Sequence, residues 1–190
     1  MTGRPPLDLT VVVAARTGPN ATLAFGSHDE PLDTRGQADA TGLQLHSNAK
    51  VFVAPDVSAR NTARLMGARD ADVEPALRAI DLGRWAGLRP DQVDPVELGQ
   101  WFADPTAAPH GGESVVDFVG RLGCWLQDRG SDDVAVVVAG GTAQGVVAAA
   151  IGADFFGIEV QPADVIRLRR RGGRWRLRPG VRESVNRLEK

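Results

Sequence analysis

Few residues in this chain have the type and placement for chemistry, and the most telling of them stand together at Arg16-Thr17-Gly18. The tripeptide closes a β-branched apolar run from Leu9 to Ala15, which predicts a buried strand that delivers a guanidinium, a hydroxyl and a glycine at its carboxyl end. Ligands of open α/β sheets bind at that edge. A guanidinium there meets an anion or pairs with a carboxylate, Glu113 or Asp81 being the candidates, because burying it alone is costly. His110 and Glu113 form a second candidate set, an imidazole oriented by a carboxylate for acid–base work. The plainer reading of His110 is a solvated loop residue beside a glycine turn. His28 and His46 are expected to be exposed, and Cys124 sits in a helical apolar repeat as core filler.

The elements that must position these groups alternate. Asp33 or Thr34 caps a helix through Leu43; Lys50 to Ala54 reads as a second buried strand stopped by Pro55; Asp56 then caps a helix carrying Val57, Thr62 and Leu65. Leu77 to Gly87 has glycines too closely spaced for a long helix and reads as a strand end or structured loop. Asp94-Pro95 opens a short helix to about Phe102, and Ser114 opens a longer one that runs to a stop at Gly130. Asp133 to Val138 is a strand ending at Ala139-Gly140-Gly141, followed by a small-residue helix over Val146 to Ile151. Arginine alternates with Val165, Ile166, Leu168, Trp175 and Leu177 around Gly172-Gly173, which predicts a hairpin with one face on the core and one basic. The order argues for a three-layer α/β/α fold, mainly parallel with an antiparallel edge, as one domain over 1–190 with its core at about 9–180.

Taken in order, these landmarks resemble the histidine phosphatase superfamily, the phosphoglycerate mutase-like fold. Arg16-Thr17-Gly18 sits where that family has Arg-His-Gly. Pro31 to Ala38 is similar to its Pro-Leu-Thr-x-x-Gly segment, and Ala54-Pro55 with Ala59 to Ala63 to its Ser-Pro-Leu-x-Arg-Ala-x-Gln-Thr-Ala start. Leu77 to Gly87 resembles Leu-x-Glu-x-Asp-x-Gly-x-Trp-Glu-Gly, and Val136 to Gly141 resembles the late strand with a second histidine before Gly-Gly.

The resemblance implies a first histidine attacking phosphorus, two arginines and a second histidine holding the phosphoryl oxygens, and a carboxylate as general acid and base. Those positions hold Thr17, Ser58, Ala139, Ala79 and Ala86 in this chain, and Arg16 alone keeps the family residue. Arg60, two positions past Ser58, faces away on a helix. The implied protein is a degenerate member that acts by ligand or protein binding at the former active-site cleft. Arg16, Gly18, Gly140 and Gly141 are its expected binding residues, and a small anionic or phosphorylated molecule is the expected ligand. The alternative is a phosphatase or mutase working with His110, Glu113 and Arg16.

Composition excludes several classes. One cysteine forbids an internal disulfide, no Cys/His cluster has zinc spacing, and no cofactor is expected. No apolar run is long enough to cross a bilayer and no signal-peptide core follows Met1, so a cytoplasmic protein is expected. Nine arginines between Arg167 and Arg187 offer a basic face, but a net charge of -2 and the lack of interleaved aromatics argue for a guarded sheet edge over nucleic-acid binding.

Overall fold

The computed structural model describes residues 6–45, 49–130 and 132–178, which leaves His46, Arg182 and Arg187 outside the described residues. Their order is β1 (Leu7–Val13), α1 (Gly18–Thr22), α2 (Thr34–Gly42), β2 (Lys50–Val53), α3 (Val57–Leu65), β3 (Asp72–Val73), α4 (Pro95–Ala103), α5 (Val115–Gln127), β4 (Val134–Val138), α6 (Gly140–Ile151), β5 (Val165–Arg171) and β6 (Arg174–Arg178). Leu77 to Gly87, read as a strand end or loop, contains short 3-10 turns at Pro75–Leu77 and Gly83–Trp85.

The strands form one sheet in the order β3-β2-β4-β1-β5-β6. Pairing is parallel from β3 to β1 and antiparallel onto β5 and β6. Both central strands are valine-rich because both faces are covered: every residue of β4 is buried, and burying each valine side chain contributes about 1.5–3 kcal/mol. Helix α2 packs on α3 and α5 on α6, giving the expected layers.

Three of the predicted caps form. Asp33 accepts from Gly36 N at 2.7 Å, Asp94 from Val96 N at 2.8 Å ahead of Pro95, and Ser114 from Asp117 N at 3.1 Å. Gly172 and Gly173 take φ of 57° and 76°, the left-handed pair that a tight two-residue hairpin requires. Among the described residues no helix is long and apolar enough to cross a membrane.

Helix α1 begins at Gly18, with Pro19 in its first turn, where no N–H is needed. Three expectations are corrected. Helix α5 ends at Gln127 with Asp128 behind it, short of Gly130. Cys124 is exposed, because Phe118, Leu122, Trp125 and Leu126 already form the buried face of α5. The hairpin is not simply apolar inside and arginine outside. Arg170 is 2% exposed and donates to the carbonyls of Arg129 and Gly130 past the end of α5, where carbonyls lack intrahelical donors, while Leu177 and Val165 are exposed.

Candidate functional site

A cleft of about 360 Å³ opens at the carboxyl ends of β1 and β4. The parallel pairing of β1 with β4 brings Thr17 and Ala139 to the same edge, and both line the cleft with Ser58 and Ala79. Residues drawn from four separate stretches of sequence therefore meet around one space. Gly140 and Gly141 line it as well, whereas Arg16, Gly18 and Arg60 do not.

Asp56 holds two walls in place. Its carboxylate, 2% exposed, lies 2.7 Å from His28 Nδ1 and accepts from Ala79 N at 3.1 Å, which fixes the 26–28 loop and the 79–80 segment against the start of α3. Sequence reading assigned Asp56 only a cap, but no side-chain cap bond is made. Thr62 continues the scaffold by donating to Ser58 O at 2.8 Å and accepting from Ala15 N at 3.0 Å.

Chemically, the lining is uncharged: no Arg, Lys, His, Asp or Glu is among the described residues that line it. The Thr17 hydroxyl donates to Asn20 Oδ1 at 2.9 Å, the same oxygen that accepts from Thr17 N. An amide oxygen is no base, so that hydroxyl stays a hydroxyl. Helix α6 begins at the cleft with Ala139 as its amino-terminal cap, a residue with no side chain to bond the first-turn N–H groups. Aromatic rings line the cleft as well: Trp101 and Phe102 from α4 and Phe156 from the turn at Phe155–Gly157, with Trp101 and Phe156 centroids 5.0 Å apart and Phe102 and Phe156 4.9 Å apart. Phe155 and Phe156 escaped the sequence reading; two adjacent aromatics in a chain with only 5% Phe, Trp and Tyr were the available signal.

The other candidates are engaged elsewhere. Arg16 pairs with neither Glu113 nor Asp81; its Nε lies 2.8 Å from Asp33 Oδ2, an ion pair whose N–H is not aligned on an acceptor. The end of β1 and the start of α2 touch directly, since Asp33 N bonds Arg16 O at 3.0 Å and a Cβ on Gly36 would stand 2.1 Å from that same oxygen. Glu113 accepts a two-pronged bond from Arg121, at 2.9 and 2.8 Å, and does not orient His110. His110 is not solvated: it is 1% exposed, packed edge-on to Trp85 with centroids 5.0 Å apart. Its Nδ1 accepts from Gly112 N at 3.0 Å, which leaves the proton of the neutral ring on Nε2, and burial pushes its pKa below the ordinary histidine value. Backbone contact enforces this burial, because Arg84 N bonds His110 O at 3.1 Å and Glu113 N bonds Asp81 O at 2.8 Å. Among the described residues no three His, Cys, Asp or Glu side chains gather as a metal ion needs.

Residues 14–179 match the family model of the histidine phosphatase superfamily, branch 1. The chain belongs to that superfamily. Solved structures place this superfamily member in similar company. The protein TTHB049 from Thermus thermophilus is 25% identical over 85% of this chain and 92% of its own, with a TM-score of 0.72. A mycobacterial glucosyl-3-phosphoglycerate phosphatase, solved with VO3, is 26% identical over 90% and 96%, with a TM-score of 0.75. Mycobacterial hydrolase 1, at 24% identity over 92% and 97% and a TM-score of 0.77, shares the fold. Among curated proteins none matches the chain significantly.

Proposed function

We propose that this histidine phosphatase superfamily member performs no phosphohistidine transfer and uses the cleft to hold an uncharged ligand. One observation carries the reading: the space that Thr17, Ser58, Ala79 and Ala139 share contains no ionisable side chain among the described residues.

Phosphoryl transfer through histidine needs a neutral ring nitrogen that attacks phosphorus and later leaves it. Where the resemblance puts that ring stands Thr17, whose hydroxyl donates to an amide. Loss of nucleophile or base alone costs a hydrolase on the order of a million-fold, and here the acid, the second histidine and one arginine are replaced as well. A phosphate ester would also enter the cleft without a cation. Desolvating a charge costs several kcal/mol, and a helix amino end returns about 0.3–1 kcal/mol, or roughly 2 in its best geometry. The desolvation term wins, and a neutral ligand avoids it.

The phosphatase alternative built on His110, Glu113 and Arg16 loses its parts to other partners: His110 is buried against Trp85, Glu113 is held by Arg121, and Arg16 is held by Asp33. Arg16, the cation expected to hold an anionic ligand, sits against Asp33 and does not line the cleft, which supports a neutral ligand over an anionic one. The related phosphatase was solved with VO3, so vanadate is the discriminating probe. A ligand at a hundred times its Kd adds about 2.7 kcal/mol of stability. This reading predicts no thermal shift with orthovanadate, phosphate or sulfate; a vanadate shift that vanishes in Arg16→Ala would overturn it.

A further inference from the structure

Arginine recurs at every second position of both hairpin strands, and the strand register turns that recurrence into one surface. Arg167 stands opposite Arg178, Arg169 opposite Arg176 and Arg171 opposite Arg174. Directly opposed residues share a face of the sheet, as do residues two apart, so all six side chains leave the same face. They form two rows, spaced about 7 Å along each strand and about 5 Å across. Leu168, Arg170, Trp175 and Leu177 take the other face, where Arg170 and Trp175 lie beside Ala149 and Ala150 of α6.

The basic face is short of countercharge. Arg169 pairs with Asp8, which the β1 register brings to the same face. Arg169 first, with Arg178 and Arg171 acting from farther off, holds the Asp8 carboxyl below its usual value. Asp133 adds a second carboxylate, which accepts from Asp8 N at 2.9 Å. Arg167, Arg171, Arg174, Arg176 and Arg178 are exposed and form no ion pair among the described residues. The rest of the sequence does not supply the deficit, since outside the described residues it holds Glu183 and Glu189 against Arg4, Arg182, Arg187 and Lys190. Like charges directly opposite each other across strands are destabilising. Guarding a sheet edge explains such charges on β6 but not on β5, which is paired on both sides, by β1 and by β6.

We propose, independently of the cleft, that this face binds a double-stranded nucleic acid through its phosphates, without reading its sequence. All six cations are arginine, whose planar fork bonds phosphate oxygens two at a time. A duplex carries one charge per roughly 1.7 Å of axis, dense enough to meet both rows. Protein interfaces are built around an apolar centre, which this face lacks. Single strands are held largely by stacking on aromatic rings, and the hairpin's ring, Trp175, is on the opposite face. Charges farther off than about 8 Å are screened at physiological salt, so the net charge of -2 does not decide what this face attracts.

Fluorescence anisotropy of the full chain with labelled DNA and RNA duplexes, each in two unrelated sequences, tests the proposal. Neutralising about five phosphates gives a slope of log affinity on log salt near -4.5, a loss of a few hundred-fold between about 50 and 200 mM salt, whatever the sequence. Arg167→Gln with Arg178→Gln is expected to reduce that slope by about 2 and to weaken binding at least roughly tenfold at the lower salt. Arg174→Glu, which sets an opposite charge against Arg171, is expected to raise the melting temperature while weakening binding, so loss of binding is not loss of fold. Arg64→Gln, an exposed arginine of α3 near the opposite edge of the sheet, is expected to leave binding unchanged. Binding of either duplex with these responses supports the proposal. No binding of either duplex at about 50 mM salt overturns it, as does a slope that the double variant leaves unmoved. Equal weakening by Arg64→Gln, or tighter binding of a single strand or of polyglutamate than of duplex, overturns it too. The reading of the cleft, tested with vanadate, stands in each of these cases.

Discussion

Asp33 serves two groups at once: its carboxylate caps α2 by accepting from Gly36 N at 2.7 Å, and it receives Arg16 Nε at 2.8 Å. The residue at the sheet's carboxyl edge that most suggests anion binding is thereby tied to a helix start. The Gly36 N–H first, and Arg16 after it, hold the Asp33 carboxyl below its usual range. A carboxyl with a depressed folded pKa contributes stability that is present above the unfolded value and lost as pH falls through the folded one.

Two substitutions separate the roles. Asp33→Ala removes cap and ion pair together and is expected to lower the melting temperature more than Arg16→Met, which removes only the pair. Melts recorded from neutral to acid pH are expected to show Asp33→Ala losing less on acidification than the parent chain, because the group whose protonation matters is gone. An Arg16→Met variant less stable than Asp33→Ala would contradict the assignment.

Arg121 and Glu113 form a two-pronged charged pair, at 2.9 and 2.8 Å. The Glu113 side chain is 12% and that of Arg121 17% exposed, and Arg121 also donates to Ala76 O at 2.7 Å, tying the turn that precedes Ala79 to α5. Arg78 Nη2 also lies 3.5 Å from Glu113 Oε1, so Arg121→Met leaves Glu113 a second, more exposed partner; the change is expected to cost about 2 kcal/mol in urea unfolding, and Glu113→Met added to it to restore part of that. A loss under roughly 0.5 kcal/mol for the single change would show that the pair is solvated.

His110 gives a pH signature. Its folded pKa lies below the ordinary value because of burial, so the unfolded chain binds the proton first as pH falls. Stability from this group is complete above about pH 6.5 and declines below it toward the folded pKa, with a slope of at most ~1.4 kcal/mol per pH unit. His110→Phe, which keeps a ring between Trp85 and Trp101, is expected to flatten that part of the stability–pH curve. An unchanged slope would place the imidazole in water.

Much of this was legible in the chain itself, and the remainder has physical reasons. Strands β1 and β4 announce themselves as β-branched runs because both faces are buried, and Asp33, Asp94 and Ser114 cap helices through local bonds that need no tertiary context. The ordered motifs carried Thr17, Ser58, Ala79 and Ala139 to one cleft. Helix α1 is too short to show a period. The choice of Asp33 over Glu113 for Arg16 depends on how closely Gly36 lets α2 approach β1, and the burial of His110 on the backbone contact between the 81–84 and 110–113 segments. Phe155 and Phe156 reach the cleft from a turn with no periodic signal. Local chemistry could be read; which distant segments touch could not.

Turnover of para-nitrophenyl phosphate by the purified chain tests the central claim most directly. The uncharged cleft and the donated Thr17 hydroxyl predict a rate no higher than that of the Arg16→Ala, His110→Ala double variant. A clear rate that the double change abolishes would contradict the account.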